Sequence, residues 1–209
     1  MLKGDIRQFF ASIDHHILKN ILARHIPDQD ILWLLGQIID SFETVGRPGV
    51  GLPLGNVTSQ LLVNVYLNEF DQFVKRVVKS RYYIRFADDF VILSAEKTWI
   101  TRTIPRLERY LRERLRLELH PDKLFVRTVA SGVDFLGWVH FPHHRVLRTV
   151  TKRRALRRLV QNPESATLNS YRGLLKHGNA HKFSLGMQKT FDDARQRAQA
   201  SKAQSDKKF

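Results

Sequence analysis

Tyr83-Ile84-Arg85-Phe86-Ala87-Asp88-Asp89-Phe90-Val91-Ile92-Leu93 decides how this chain is read. Two apolar, strand-like runs meet at a tight turn that carries two adjacent carboxylates. A hairpin of this kind puts both acids at its tip, where they repel each other unless a cation lies between them. Mg²⁺, a hard ion that takes oxygen ligands and keeps several waters, suits that position. A third carboxylate, Asp5, ends another apolar segment and is followed by Phe9 and Phe10. A glycine-rich stretch lies between the two acidic segments.

The chain has 209 residues, enough for one good core or for a domain with a smaller appendage. Hydrophobic residues make up 43% of it, which argues for a folded protein. It contains no cysteine, so disulfides and thiolate zinc sites are excluded, and a reducing cytoplasm is the compatible compartment. No apolar run approaches the ~20 residues that cross a bilayer, and Met1-Leu2-Lys3-Gly4-Asp5 does not read as a signal peptide. Charge is unevenly placed. Residues 1–144 hold 19 Lys/Arg against 16 Asp/Glu, whereas residues 145–209 hold 16 against 4. A near-neutral body with a basic C-terminal third points to a polyanion held by that third. Its basic helices lack the broad apolar side that membrane binding needs.

Working outward from the hairpin, Leu2 to about Asp5 reads as a strand. Ser12 and Asp14 then start a helix carrying Ile13, Ile17, Ile21 and Leu22 at helical spacing. A second helix runs from about Asp28 to Phe42, with Ile31, Leu34, Leu35, Ile38 and Phe42 on one face. Gly46 to Gly55 holds four glycines and two prolines and is a loop. A long helical segment from about Thr58 to Lys79 precedes the hairpin, and an Arg-rich helix from about Trp99 to Arg116 follows it. Short strands are expected near 124–127, 133–138 and 145–150. From Lys152 the pattern is helical, interrupted at Asn162-Pro163 and Gly178. The expected class is α+β: an antiparallel sheet carrying the acids, backed by helices. Residues 1–150 are expected to form the sheet domain, 151–195 a basic helical domain and 196–209 a disordered tail.

Three acids, on two strands well separated in sequence, can hold two metal ions ~3.5–4 Å apart. Such a pair neutralises the attacking and leaving oxygens when a 3′-hydroxyl displaces pyrophosphate from a nucleoside triphosphate. The layout therefore reads as the centre of a nucleic-acid polymerase, with Asp5, Asp88 and Asp89 as metal ligands and the carbonyl of Ile6 as an extra one. Taken singly, Asp5 could be a helix-cap or turn acid, and Asp88-Asp89 an ordinary hairpin tip.

The motifs carry a resemblance. Lys3-Gly4-Asp5-Ile6-x-x-Phe9-Phe10-x-x-Ile13-Asp14-His15 resembles the segment around the first catalytic aspartate of bacterial reverse transcriptases, as in group II introns and retrons. Gly51-Leu52-Pro53-Leu54-Gly55-Asn56-Val57-Thr58-Ser59-Gln60 resembles the next motif, and Phe86-Ala87-Asp88-Asp89 the third. Leu117 to Lys123 is similar to the fourth, and Val133-Asp134-Phe135-Leu136-Gly137-Trp138 to the primer-grip hairpin. In this light residues 1–150 are a polymerase palm and 151–195 a thumb. Leu54-Gly55 with Ser59-Gln60, where group II intron and retron enzymes usually have Gln and Ser-Pro, resembles the enzymes of diversity-generating retroelements. Tyr171 to Asn179 fits that group as well.

The resemblance implies an RNA-directed DNA polymerase, using two Mg²⁺ (Mn²⁺ as a substitute), dNTPs, template RNA, a DNA primer and a small basic accessory protein in a bacterial or phage-encoded setting. Phe10 matches the steric-gate position, although Phe9 and Phe10 could both be core. A Gln at position 54 could bond the incoming nucleotide. Leu54 can only pack, a loss worth ~1 kcal/mol of discrimination, unless it is simply a loop residue turned inward. Gly55 would admit close backbone approach. Ser59, Gln60, Phe135, Leu136 and Gly137 are expected at the primer and template. Lys123 would protonate the leaving pyrophosphate, or be a surface lysine. Lys152, Arg153, Arg154, Arg157 and Arg158 would bind phosphates without reading sequence. His15-His16 and His140 with His143-His144 are read as surface or phosphate-neighbouring residues. A group II intron or retron relative, or a non-catalytic RNA-binding remnant, remains the competing reading.

The first catalytic motif stands at residue 5, whereas the resembled enzymes carry a fingers subdomain before it. A truncated fragment is the expectation, with its first strand leaving an exposed sheet edge and uncovered apolar surface. On this expectation the 209-residue chain extends a primer on RNA weakly or not at all with Mg²⁺. Robust extension would contradict it.

Overall fold

In the computed structural model, which describes the backbone of residues 1–206 and the side chains of residues 1–199, the strand Leu2–Asp5 (β1) is hydrogen-bonded on both sides. Tyr82–Phe86 (β2), Asp89–Leu93 (β3), β1 and Phe125–Val126 (β4) form one sheet in the order β2-β3-β1-β4. All three pairings are antiparallel. Strand β1 is thus interior, and the exposed edge expected there is absent. The short β4 covers it, aided by bonds between the Met1 and Arg127 backbones. Gly4 has a packing role: a Cβ there would lie 2.3 Å from the Phe90 ring, which crosses β1 at that point.

The helices His15–Ala23 (α1), Gln29–Asp40 (α2), Val57–Gln72 (α3) and Lys97–Leu115 (α4) complete this unit, Met1–Arg127. Asp14 caps α1 by accepting from the Ile17 N–H, and Asp28 caps α2 by accepting from Asp30 and Ile31. The core gathers Leu2, Ile6, Ile13, Tyr66, Phe70 and Phe90 between sheet and helices. Helix α2 departs from expectation. Of its apolar residues only Ile39 is buried, while Ile31, Trp33, Leu34 and Ile38 remain exposed.

Thr128–Phe209 form the second compact unit. Val133–Phe135 (β5), Trp138–His140 (β6) and Arg145–Leu147 (β7) make an antiparallel meander. It is followed by the helices Thr149–Gln161 (α5), Ser165–Leu175 (α6) and His181–Asp206 (α7). Trp138 and Leu147 share a core with Ala155, Leu159, Leu168, Met187 and Phe191. A Cβ on Gly178 would lie 2.1 Å from the Trp138 indole. The meander therefore belongs with the helices, and the division falls after Arg127, not at 150. Residues 196–206, expected as a tail, continue α7, as their Ala, Gln, Arg and Lys content favours. Residues 207–209 of that expected tail lie outside the described residues.

Candidate active site

Antiparallel register places the first acid. Asp5 is the Cα partner of Asp89, and Gly4 of Phe90. Ile6 follows opposite Asp88 and donates its N–H to the Asp88 carbonyl at 3.3 Å. Acids 84 positions apart in the sequence thus lie at one end of two neighbouring strands. Asp5 is buried (7% exposed), its carbonyl accepting from His120 at 2.8 Å. The site lies where β1 ends and the β2–β3 turn begins.

The turn itself is two residues, Ala87 and Asp88, between the paired Phe86 and Asp89. Ala87 has φ +50°, a conformation that hairpin turns usually assign to glycine. Arg85 holds it there. Its guanidinium grips the Asp71 carboxylate of α3 through two 2.8 Å bonds and donates to the Ala87 carbonyl at 2.9 Å and to Asn64 at 3.1 Å. The Tyr83 hydroxyl donates to the same carboxylate at 2.6 Å. Burial opposes the Arg85 charge, but the bonds to Asp71 outweigh it and the pKa is raised. Sequence reading missed this clamp. The signal available to it was a charged residue inside an otherwise apolar strand, with an Asp in the preceding helix.

Each outer acid has a cation. The Lys123 ammonium lies 3.0 Å from Asp5 Oδ1, and that of Lys3 lies 3.5 Å from Asp89 Oδ1. Lys123 reaches Asp5 from a short 3₁₀ turn, Pro121–Lys123. The hydrogen bond to Asp5 raises its pKa, which keeps it a protonated, cationic donor. Asp88 is in the opposite situation. Burial lifts its carboxyl above the ordinary value and the charges of Asp5 and Asp89 add to this, while its own backbone N–H and Lys123 oppose it.

Among the described residues no group of three or more His, Asp or Glu is arranged to hold a metal ion. The donor set still fits Mg²⁺, which binds through one or two carboxylates together with substrate phosphates. Asp5 and Asp88 are hard oxygen donors close enough to raise the proton affinity of Asp88. Ile6, bonded to the Asp88 carbonyl, adds a backbone carbonyl beside them.

Around the acids, Phe10 is half-buried and meets Phe9 edge-on at 5.6 Å. Its carbonyl accepts the Leu52 N–H at 2.8 Å, which brings the glycine-rich loop to the first motif. Leu54 is 78% exposed, so it is neither packed nor turned inward. Gly55 has φ +93° with open space where a side chain would be. Ser59 is buried (2% exposed) on the core side of α3, which removes it from the residues able to meet nucleic acid. Gln60, next to it, is exposed. His15 is buried and hydrogen-bonded, contrary to the surface reading, whereas His16 is exposed.

In the second unit, Leu136 (φ +52°) and Gly137 (φ +82°) form the two-residue tip between the paired Phe135 and Trp138. Phe135 is buried and Leu136 exposed. Arg153, Arg154, Arg157 and Arg158 are exposed on α5, and the Lys152 ammonium lies over the Phe183 ring at 5.9 Å. Arg154 and Arg158 line a cavity of about 730 Å³ with Thr151, Ser170 and Tyr171.

Residues 1–140 match the family model described as "Reverse transcriptase (RNA-dependent DNA polymerase)". The chain belongs to the reverse transcriptase family. Among curated relatives, it is 27% identical to Protein YkfC of Escherichia coli K12, over 81% of this chain and 52% of that one. It is 22% identical to the group II intron-encoded protein LtrA of Lactococcus lactis subsp. cremoris, over 66% of this chain and 34% of LtrA. The chain therefore spans about half, or less, of the length of these relatives. In fold it is similar to telomerase from Candida tropicalis, solved in complex with the TWJ fragment of telomeric RNA. The TM-score is 0.52 at 12% identity, covering 98% of this chain and 39% of the telomerase. The fold, antiparallel sheets with packed helices, is similar to that of the telomerase over nearly the whole chain. No helix among the described residues is long and apolar enough to cross a membrane.

Because its folded-state pKa lies above the unfolded value, Asp88 contributes stability that is fully present below the ordinary Asp range. That stability is lost as pH rises through the folded-state value. Ionised Asp88 thus strains the metal-free fold at neutral pH. Asp88→Asn is expected to raise the Tm at pH 7, with a gain that shrinks on acidification toward the ordinary Asp range. Thermal denaturation without divalent ions checks this, and a lowered Tm at pH 7 would contradict it.

Proposed function

We propose that this chain is the palm and thumb of an RNA-directed DNA polymerase that adds dNTPs to a primer 3′-hydroxyl on an RNA template. The observation that carries the reading is Asp5 in register with Asp89, next to the Asp88 turn, with the Lys123 ammonium on Asp5. Asp5 and Asp88, with the Ile6 carbonyl, hold two Mg²⁺, or Mn²⁺ in their place. When bound, those ions supply charge neutralisation on the attacking and leaving oxygens. Asp89, tied to Lys3, completes the acidic field. Lys123 gives its proton to the leaving pyrophosphate. Phe10 faces the sugar of the incoming nucleotide, and Leu54 and Gly55 lie beside it. Gln60 contacts the template.

Phe135, Leu136 and Gly137 support the primer end, and Lys152, Arg153, Arg154, Arg157 and Arg158 hold the phosphates. The finer assignment is to the diversity-generating type, working in a bacterial or phage-infected cytoplasm with a structured template RNA and a small basic accessory protein. Leu54 supports it: an exposed apolar side chain cannot hydrogen-bond the nucleotide. One observation favours a non-catalytic RNA-binding role instead. Both Asp5 and Asp89 already carry lysine counter-charges.

Single-turnover primer extension with enzyme in excess separates these readings. Asp88→Asn is expected to lower extension by at least ~10³-fold while leaving RNA affinity unchanged. Leu54→Gln is expected to reduce misincorporation opposite template adenine several-fold. RNA binding by the unsubstituted chain with no extension at all would support the RNA-binding reading. Extension that survives Asp88→Asn intact would remove Asp88 from the metal-holding groups, and unchanged errors in Leu54→Gln would remove the diversity-generating assignment.

A further inference from the structure

The glycine-rich loop is fastened to the first motif by a buried histidine. Gly51 donates its N–H to the Ile13 carbonyl at 2.8 Å and Leu52 donates to Phe10 at 2.8 Å. The His15 N–H reaches back to Gly49 at 3.0 Å. The His15 ring, only 3% exposed, stands between this loop and α2. Its Nε2 lies 2.7 Å from the Gly51 carbonyl and its Nδ1 lies 3.3 Å from Asp40 Oδ1 at the end of α2. The other oxygen of Asp40 takes the Lys19 ammonium at 2.5 Å. Both ring nitrogens thus face oxygens that can only accept, and the ring links α2 to the loop by donating from whichever nitrogen carries a proton.

The grip falls on a position that only glycine fits. Gly51 has φ +112°, and a Cβ there would lie 2.2 Å from the Thr44 hydroxyl, which itself donates to the Ala11 carbonyl at 3.0 Å. Three residues beyond Gly51 the loop carries Leu54, then Gly55. One residue beyond it, Leu52 is bonded to Phe10. A shift at Gly51 therefore moves both sides of the nucleotide position together.

We infer that His15 is a positioning residue for the incoming nucleotide, setting the Leu54–Gly55 stretch against Phe10 through the Gly51 carbonyl. This rests on the proposed reading of Phe10, Leu54 and Gly55 as the nucleotide's neighbours. His15 touches neither the acids nor the nucleotide. Its effect is on binding geometry, not on the metal-holding groups.

Amide hydrogen exchange and nucleotide binding on the full chain test it. In His15→Leu, exchange at Gly51 and Leu52 is expected to speed up about tenfold, the scale of one lost buried hydrogen bond, with β1 amides unchanged. Affinity for a fluorescent dNTP with Mg²⁺ is expected to weaken about as much, while Mn²⁺ affinity is unchanged. His15→Gln, which keeps a single donor group, should fall between. Should His15→Leu fail to fold, His15→Gln and Asp40→Asn decide, each loosening the loop by a smaller factor.

Equal acceleration in β1 would make His15 a general core residue and overturn the inference. So would a loosened loop with unchanged nucleotide affinity. If the unsubstituted chain binds no nucleotide at all, the polymerase reading fails, and the inference falls with it.

Discussion

The pairing of β1 with β3 is the constraint on which the site depends. Side chains alternate along a strand, so a slip of one residue would send Asp5 to the opposite face. Leu2 and Phe90, both fully buried, fix the register by having nowhere else to go. Gly4 fixes it again, since only a residue without a side chain can pass under the Phe90 ring. Hydrophobic packing thus sets an electrostatically unfavourable arrangement: Asp5 faces Asp89, with Asp88 half-buried beside them.

The surrounding residues manage that repulsion. Lys123 and Lys3 offset two of the charges, and the Arg85–Asp71 pair holds the turn that carries the third in its left-handed conformation. Burial, with the charges of Asp5 and Asp89 added to it, raises the pKa of Asp88. A site that concentrates uncompensated negative charge is less stable empty and gains most when cations arrive. All three acids lie within the residues that match the reverse transcriptase family, 1–140, and the C-terminal residues 145–209 carry 16 Lys/Arg against 4 Asp/Glu.

Much of this was legible in the sequence because it is local. The hairpin, the caps at Asp14 and Asp28, the loop glycines and the breaks at Pro163 and Gly178 depend on neighbours within a few residues. What escaped is what only tertiary contact creates. Arg85 and Asp71 are 14 positions apart, His15 and Gly51 36 apart, and neither spacing follows any period. Ser59 lay in a segment whose motif suggested contact with nucleic acid, yet its helical phase turns it into the core. Helix α2 shows the reverse error: its periodicity correctly gave a helix, but periodicity cannot say what the apolar face meets. The unit boundary was misplaced because strand signals at 133–147 look alike whether the hairpin packs on a sheet or, as here, on helices.

Crystals soaked with Mn²⁺ and a non-hydrolysable dNTP, examined by anomalous scattering, test the account most directly. The expected result is a metal peak at the carboxylates of Asp5 and Asp88, with the Lys123 ammonium moved off Asp5. A Lys123–Asp5 contact that persists, with every metal peak away from the three acids, would contradict it.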